Sequence, residues 1–271
     1  MHLDLSRNIK NKIKKGLNMN LKDKTIVVTG GGQGLGRAIA LNLAKSGAKL
    51  ALIDLNEEQL QATVKLVEEA GSQAKYYLAN VTNESEVEAI FTQINQDFSG
   101  IDGLINNAGI LRDGMFVKAK DGVVSKKMSL DQFQSVIDVN LTGVFLCGRE
   151  AAVHMIEGKR KGVIINMSSI ARGGNMGQTN YAASKAGVVA MTVTWARELG
   201  RHGIRVGAIA PGVIRTAMTD AMKPEMRQRL ESMKPVGRLG EAEEIAHTVN
   251  YIIENEFFTG RVVEIDGGLS M

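Results

Sequence analysis

Seven short runs of β-branched and aliphatic residues recur along the chain, each followed by a longer amphipathic stretch, and this alternation restricts the fold more than any other feature. The runs are Thr25–Thr29, Lys49–Ile53, Ala74–Ala79, Gly103–Ile105, Gly162–Met167, Arg205–Ile209 and Val262–Ile265. Strands that are apolar on both faces need cover on both faces, and the intervening helices supply it. The pattern therefore predicts an α/β fold built on a doubly wound, parallel, seven-stranded sheet. Such sheets bind ligands beyond the carboxyl ends of their strands, so the residues just after each run are the places to look for function. With 271 residues, 44% of them apolar, the chain can make one sizeable domain; 30 glycines and only 3 prolines suit many tight turns and unbroken helices.

Composition narrows the function classes. The single cysteine, Cys147, cannot form an intramolecular disulfide, and no Cys/His cluster has metal-ligand spacing, so a reducing, cytoplasmic setting without a metal is expected. No apolar run approaches the roughly 20 residues that span a bilayer, and the first residues lack the core of a secretory signal. The net charge of +4 is confined to residues 1–18, where Arg7, Lys10, Lys12, Lys14 and Lys15 face only Asp4. Residues 19–271 are close to neutral, which argues against a nucleic-acid partner. In the extension, Leu5, Ile9, Ile13 and Leu17 recur every four residues, the stripe of a membrane-surface helix. Alternatively Met19 is the true start, with Lys14-Lys15-Gly16 translated from an A/G-rich ribosome-binding sequence, or the segment is disordered. Residues 1–20 are set apart as a basic extension without assigned function, and 21–271 as the domain.

Two segments interrupt the alternation. Residues 111–129 are polar and long for a loop. Residues 213–236 carry Met218, Met222, Met226 and Met233 among charges, which fits either a lid over an apolar ligand or a pair of surface helices.

The first run ends in Thr29-Gly30-Gly31-Gly32-Gln33-Gly34-Leu35-Gly36 and passes straight into a helical pattern at Arg37. Glycines there let backbone amides, backed by the helix dipole, approach a pyrophosphate without a side-chain cation, as in the Rossmann fold. Asp54 ends the second run, eighteen residues beyond Gly36, where a carboxylate accepts hydrogen bonds from ribose hydroxyls and repels a 2′-phosphate. That favours NAD over NADP; the competing reading has Asp54 capping the next helix and Arg37 accommodating the phosphate. Asn80 and Val81 follow the third run, and Asn106-Asn107-Ala108-Gly109 follow the fourth, at the adenine and central parts of such a site.

Tyr181 and Lys185 stand at i and i+4 in a helical pattern and so share a face. A free phenol has a pKa near 10; a neighbouring ammonium lowers it and lets Tyr181 act as general acid in ketone reduction and general base in alcohol oxidation. Ser168 follows the fifth run, thirteen residues before Tyr181, and its hydroxyl can polarise a carbonyl; Ser169 is the weaker candidate of the two.

The T-G-x-x-x-G-x-G turn, the N-N-A-G tetrad and the Tyr-x-x-x-Lys pair resemble the short-chain dehydrogenase/reductase family over about residues 21–271. The resemblance implies that Asn140, in Val139-Asn140-Leu141-Thr142-Gly143, holds a water linking Lys185 to solvent. It implies that Pro211-Gly212-Val213-Ile214-Arg215-Thr216 binds the nicotinamide carboxamide through the Ile214 backbone and the Thr216 hydroxyl. Gln33 stands where NADP-using members often carry Arg or Lys, and Asn80 where Asp is usual; its amide oxygen is expected to accept from the adenine amine. Within the family the chain looks like bacterial 3-oxoacyl-acyl-carrier-protein reductases and, in its 111–129 loop and its ending, NAD-using 3-hydroxyacyl-CoA dehydrogenases. A 3-oxo/3-hydroxy acyl thioester substrate, delivered on CoA or an acyl carrier protein and transformed without a metal, follows from the likeness, as does a homotetramer. Lys159, Arg160, Lys161, Arg201 and His202 are candidates for a basic carrier patch beside the entrance, against a plain solvated charge run. The rival readings are a sugar or steroid alcohol dehydrogenase and an NAD-sensing scaffold without turnover.

Overall fold

The computed structural model describes residues 19–215, 217–220 and 223–269; the basic stretch 1–18 lies outside them. The strands of the main sheet are β1 (Thr25–Thr29), β2 (Lys49–Asp54), β3 (Ala74–Leu78), β4 (Gly103–Asn106), β7 (Val163–Met167), β8 (Arg205–Pro211) and β9 (Val262–Ile265), and between β4 and β7 stand two further short strands, β5 (Val117–Lys120) and β6 (Val123–Lys127). The seven-stranded sheet runs β3-β2-β1-β4-β7-β8-β9 with every pairing parallel. The order reverses between β1 and β4, so a crevice opens beyond their carboxyl ends.

The inner strands bury both faces because side chains alternate across the pleat and helices cover each side, while the edge strands β3 and β9 stay partly exposed. Ile26 and Val28 join one core cluster, which also holds Ile39 and Leu43 of α1 (Gly34–Lys45), Leu60 and Val67 of α2 (Glu57–Glu69), and Ile245, Val249 and Ile252 further along. Val27, between them, joins the cluster on the other face with Phe91 and Ile94 of α3 (Glu84–Phe98) and with Met155. Asn56 and Asn83 cap α2 and α3, each accepting a backbone N–H three residues on. On the second face α4 (Leu130–Ile137) continues through a π turn at Asp138–Thr142 into α5 (Gly143–Glu157), and α6 (Thr179–Leu199) follows β7. Short helices α7 (Ala217–Asp220) and α8 (Pro224–Ser232) lead to α9 (Ala242–Glu254), which covers the first face beside α1.

Two differences from the sequence expectation stand out. Residues 111–129 are not a plain loop: β5 and β6 pair antiparallel as a hairpin closed by Asp121 and Gly122, both with positive φ (51° and 78°), the backbone of a two-residue primed turn. Of the two readings of residues 213–236, the surface helices are what the described residues show, with Met226 and Met233 more than half exposed. No helix among the described residues is long and apolar enough to cross a membrane.

Candidate active site

The glycine turn is built for close approach. At Gly30 the backbone takes φ +64°, a conformation that costs only glycine little. The Asn107 side chain, arriving from the end of β4, donates to the carbonyls of Thr29 and Gly30 at 3.1 Å each and pins the turn to the sheet. A methyl added at Gly36 would lie 2.0 Å from the Gly30 carbonyl oxygen, so the first turn of α1 touches the strand end with no room for a side chain. Gln33 precedes Gly34 without a side-chain cap and the first turn holds no acid. The leading amides of α1 therefore remain as donors for a phosphate. Leu35 is partly buried and packs against the core.

From this turn a cleft of about 360 Å³ runs across the topological switch, lined by eight of the expected cofactor residues: Gly30, Gln33, Asp54, Asn80, Val81, Asn107, Ala108 and Gly109. A dinucleotide fits this arrangement of bare amides, apolar walls and a carboxylate. Asp54 does not cap α2, since Asn56 does; its Oδ2 accepts from Gly32 N at 3.0 Å and its Oδ1 from Leu55 N at 2.7 Å. Arg37 is committed elsewhere, donating to the Gly32 carbonyl, to the Gln59 side-chain oxygen at 2.7 Å and to Thr63 at 2.9 Å. The Asn80 amide oxygen accepts from the N–H and hydroxyl of Thr82, at 3.1 and 2.9 Å, a local turn that fixes this side chain at the wall of the cleft.

Past β8 the segment from Pro211 lies outside this cleft. Gly212 sits against Asp266, where a methyl would come within 2.7 Å of its Cα, and donates to the Ile265 carbonyl. Ile214 bridges Gly240 through hydrogen bonds carried by its neighbours Val213 and Arg215, so its own N–H and C=O take no part in them. Thr216 lies outside the described residues.

The four expected catalytic positions converge beside the cleft, with one exchange. Lys185 is 4% exposed and donates from Nζ to the Met167 carbonyl at 2.7 Å; the same ammonium lies 5.6 Å from the centre of the Tyr181 ring. Burial lowers its pKa to about 8. Asn140 is fully buried in the π turn, accepting from Ile110 N at 2.8 Å and donating to Ile110 O at 3.0 Å. A methyl at Gly109 would sit 3.3 Å from Asn140 Oδ1 and 3.7 Å from Lys185 Nζ, so both groups line the same small space.

Tyr181 is half-buried, and that burial pushes its phenol above the ordinary value; a hydrogen bond with the Ser169 side chain pulls it back and the Asp113 carboxylate adds to the rise. The sequence expectation was the reverse, a phenol lowered by Lys185. Desolvation prevails because the ammonium points at the Met167 carbonyl rather than at the phenol.

The exchange concerns the serine. Ser168 is buried and its hydroxyl donates to the Lys185 backbone carbonyl at 3.0 Å, so it fastens α6 to the end of β7. Ser169 is the neighbour whose side chain meets the Tyr181 phenol. Successive residues leaving a strand point to opposite sides, so a count of thirteen residues along the chain cannot tell which hydroxyl faces the cleft. Sequence reasoning also passed over Asn180, fully buried, which holds the Arg112 and Gln132 carbonyls at 3.0 Å each and accepts from the Tyr181 N–H. Its position directly before the tyrosine was the available signal.

The basic candidates for a carrier patch are not beside this entrance. Lys159, Arg160 and Lys161 precede β7, and Arg201 and His202 precede β8, at the amino-terminal edge of the sheet, opposite the cleft. Arg160 is structural: it spans both oxygens of buried Asp102 at 3.0 Å and donates to the Ser99 carbonyl.

Comparison with known proteins agrees with this architecture. The family profile described as Enoyl-(Acyl carrier protein) reductase matches residues 30–270. The 3-oxoacyl-[acyl-carrier-protein] reductase FabG of Thermotoga maritima is 40% identical over 254 residues, 93% of this chain and 99% of the relative. The (2S)-[(R)-hydroxy(phenyl)methyl]succinyl-CoA dehydrogenase subunit BbsD of Thauera aromatica is 37% identical over 255 residues, covering 93% and 99%. The crystal structure of levodione reductase superposes with a TM-score of 0.82 at 37% identity, covering 92% of this chain and 98% of the other.

Proposed function

The chain belongs to the short-chain dehydrogenase/reductase family, a nicotinamide-dependent oxidoreductase, and on that premise we propose that it interconverts the C3 ketone and C3 alcohol of an acyl thioester, using NAD(H). The observation that carries the proposal is the convergence of Tyr181, Ser169, Lys185 and Asn140 at the edge of the dinucleotide cleft. The bound nicotinamide supplies the hydride for C3 in reduction and accepts it in oxidation.

In reduction Ser169 donates a hydrogen bond to the ketone oxygen, and Tyr181 delivers the proton that the oxygen needs as it becomes a hydroxyl. A phenol held above its ordinary pKa is protonated at neutral pH, as that step requires. Lys185, with a pKa of about 8, gives and takes protons near neutrality, and Asn140 orders the path between it and solvent. Ser168 keeps α6 in register so that Tyr181 and Ser169 meet.

The NAD preference rests on two side chains. Asp54 places a carboxylate at the ribose end of the cleft, and Arg37, the cation nearest in sequence that could offset a 2′-phosphate, is tied to three partners. The thioester class rests on relatives named for carrier-protein and CoA thioesters at 37–40% identity. A homotetramer in the cytoplasm completes the reading; Phe145, Val153 and Ile156 leave an apolar outer face on α5 that a second copy would cover.

The test is initial rate with acetoacetyl thioester and NADH or NADPH, alongside Tyr181→Phe. Turnover that prefers NADH and disappears in the variant supports the proposal. Tight NADH binding with no turnover of any acetoacetyl thioester refutes the substrate class and redirects the search to other secondary alcohols.

A further inference from the structure

We propose that the β5–β6 hairpin is a docking arm for the acidic surface of an acyl carrier protein; this rests on the thioester reading above. The hairpin stands at the active-site mouth. Its base is bound to the residues around Tyr181: Gly114 N donates to the Gly177 carbonyl at 2.8 Å, Gln178 donates to Asp113 at 2.9 Å, and Asn180 holds the Arg112 carbonyl. Asp113 itself acts on the phenol. From that base the strands, four and five residues long, reach outward by roughly 13 Å.

The arm is not built to support the fold. Every residue of β5 and β6 is exposed. Lys118, Lys120, Lys126 and Lys127 crowd two short strands whose only acid is Asp121 at the turn, and among the described residues none of the four ammonium groups forms an ion pair. Lys118 lies directly opposite Lys126 in the register, an arrangement that destabilises a sheet, since like charges face each other across the pair. With Lys120 two residues along from Lys118, three of the cations share one face. The remainder of residues 19–271 is correspondingly slightly acidic, so this is a local field at the entrance and not a property of the whole surface.

The distribution selects a protein partner. Cations spread along both strands, without convergent backbone amides, match a stripe of carboxylates better than the clustered phosphates of a nucleotide carrier. The basic residues that sequence alone pointed to sit on the opposite edge of the sheet, whereas this arm carries its cations on the side of the active-site mouth.

The experiment is fluorescence anisotropy of a labelled acyl carrier protein titrated with the wild-type enzyme and with Lys118→Glu/Lys120→Glu/Lys126→Glu, and with the corresponding Lys→Gln triple variant. Charge reversal is expected to weaken binding about tenfold or more, neutralisation less, and both to flatten the salt dependence. Rates with acetoacetyl-N-acetylcysteamine, which has the reacting group and no carrier, are expected to stay at the wild-type level, which also shows that the variants fold. Carrier binding indifferent to the charges overturns the proposal. So does an equal rise in KM for acetoacetyl-CoA, which would assign the lysines to phosphates, or a change of sedimenting mass with unaltered carrier binding, which would assign the arm to a second copy. Absence of turnover with every thioester would instead refute the function above, while the anisotropy still reads docking.

Discussion

Replacing Lys185 by methionine should make the protein more stable while abolishing its activity. The ammonium is 4% exposed, has no carboxylate partner among its hydrogen bonds, and has its pKa lowered from 10.5 to about 8 by burial alone. That displacement corresponds to a cost of about 3 kcal/mol for holding the charged form in the folded state. Removing the ammonium also removes its charge-assisted bond to the Met167 carbonyl, an offset of about 2 kcal/mol, so a net gain on the order of 1 kcal/mol is expected at pH 7. The sign with pH follows from the depressed folded value. Below pH 8 the lysine is charged in both states and the full cost is present. Between about 8 and 10.5 the folded state holds it neutral while the unfolded state still binds the proton, so wild-type stability rises and the difference from the variant closes. Urea unfolding of both proteins at pH 7 and pH 10, at one fixed protein concentration so that assembly is equally populated, measures it. A variant less stable than wild type at pH 7, or a difference that does not shrink by pH 10, refutes the idea that Lys185 is a charge held at a cost for its chemistry.

The paired serines separate structure from catalysis: Ser169→Ala should lower kcat by about 10²-fold with little change in unfolding, whereas Ser168→Ala should remove about 1 kcal/mol of stability through the lost bond to α6 and alter kcat much less. The opposite pattern in kinetics and urea titration would restore Ser168 to the reacting group. Gly36→Ala should abolish NADH binding, read by quenching of protein fluorescence or by calorimetry, because its methyl would meet the Gly30 carbonyl at 2.0 Å; retained affinity would show that the turn does not hold the pyrophosphate. Asp54→Ala should raise KM for NADH and lower it for NADPH, moving the ratio by about tenfold or more, and an unchanged ratio would remove Asp54 from cofactor choice.

What the sequence determined by itself was everything that repeats locally. The seven strands were legible because doubly covered strands must be apolar throughout, the phosphate turn because only glycines permit its approach, and the Tyr181–Lys185 face because a helix returns after four residues. The hairpin at 117–127 escaped because an arm that buries nothing leaves no hydrophobic pattern; Asp121-Gly122, between Lys120 and Val123, was the one signal of its turn. Tertiary structure alone decided which of two adjacent serines faces the phenol, that Lys185 turns to a carbonyl, and at which edge of the sheet each basic cluster lies. These are questions of direction in space. Local composition specifies which groups are present and how often they recur, but a side chain's partner is set by whichever surfaces the packed sheet and helices bring within about 3 Å of it, and those surfaces come from distant parts of the chain.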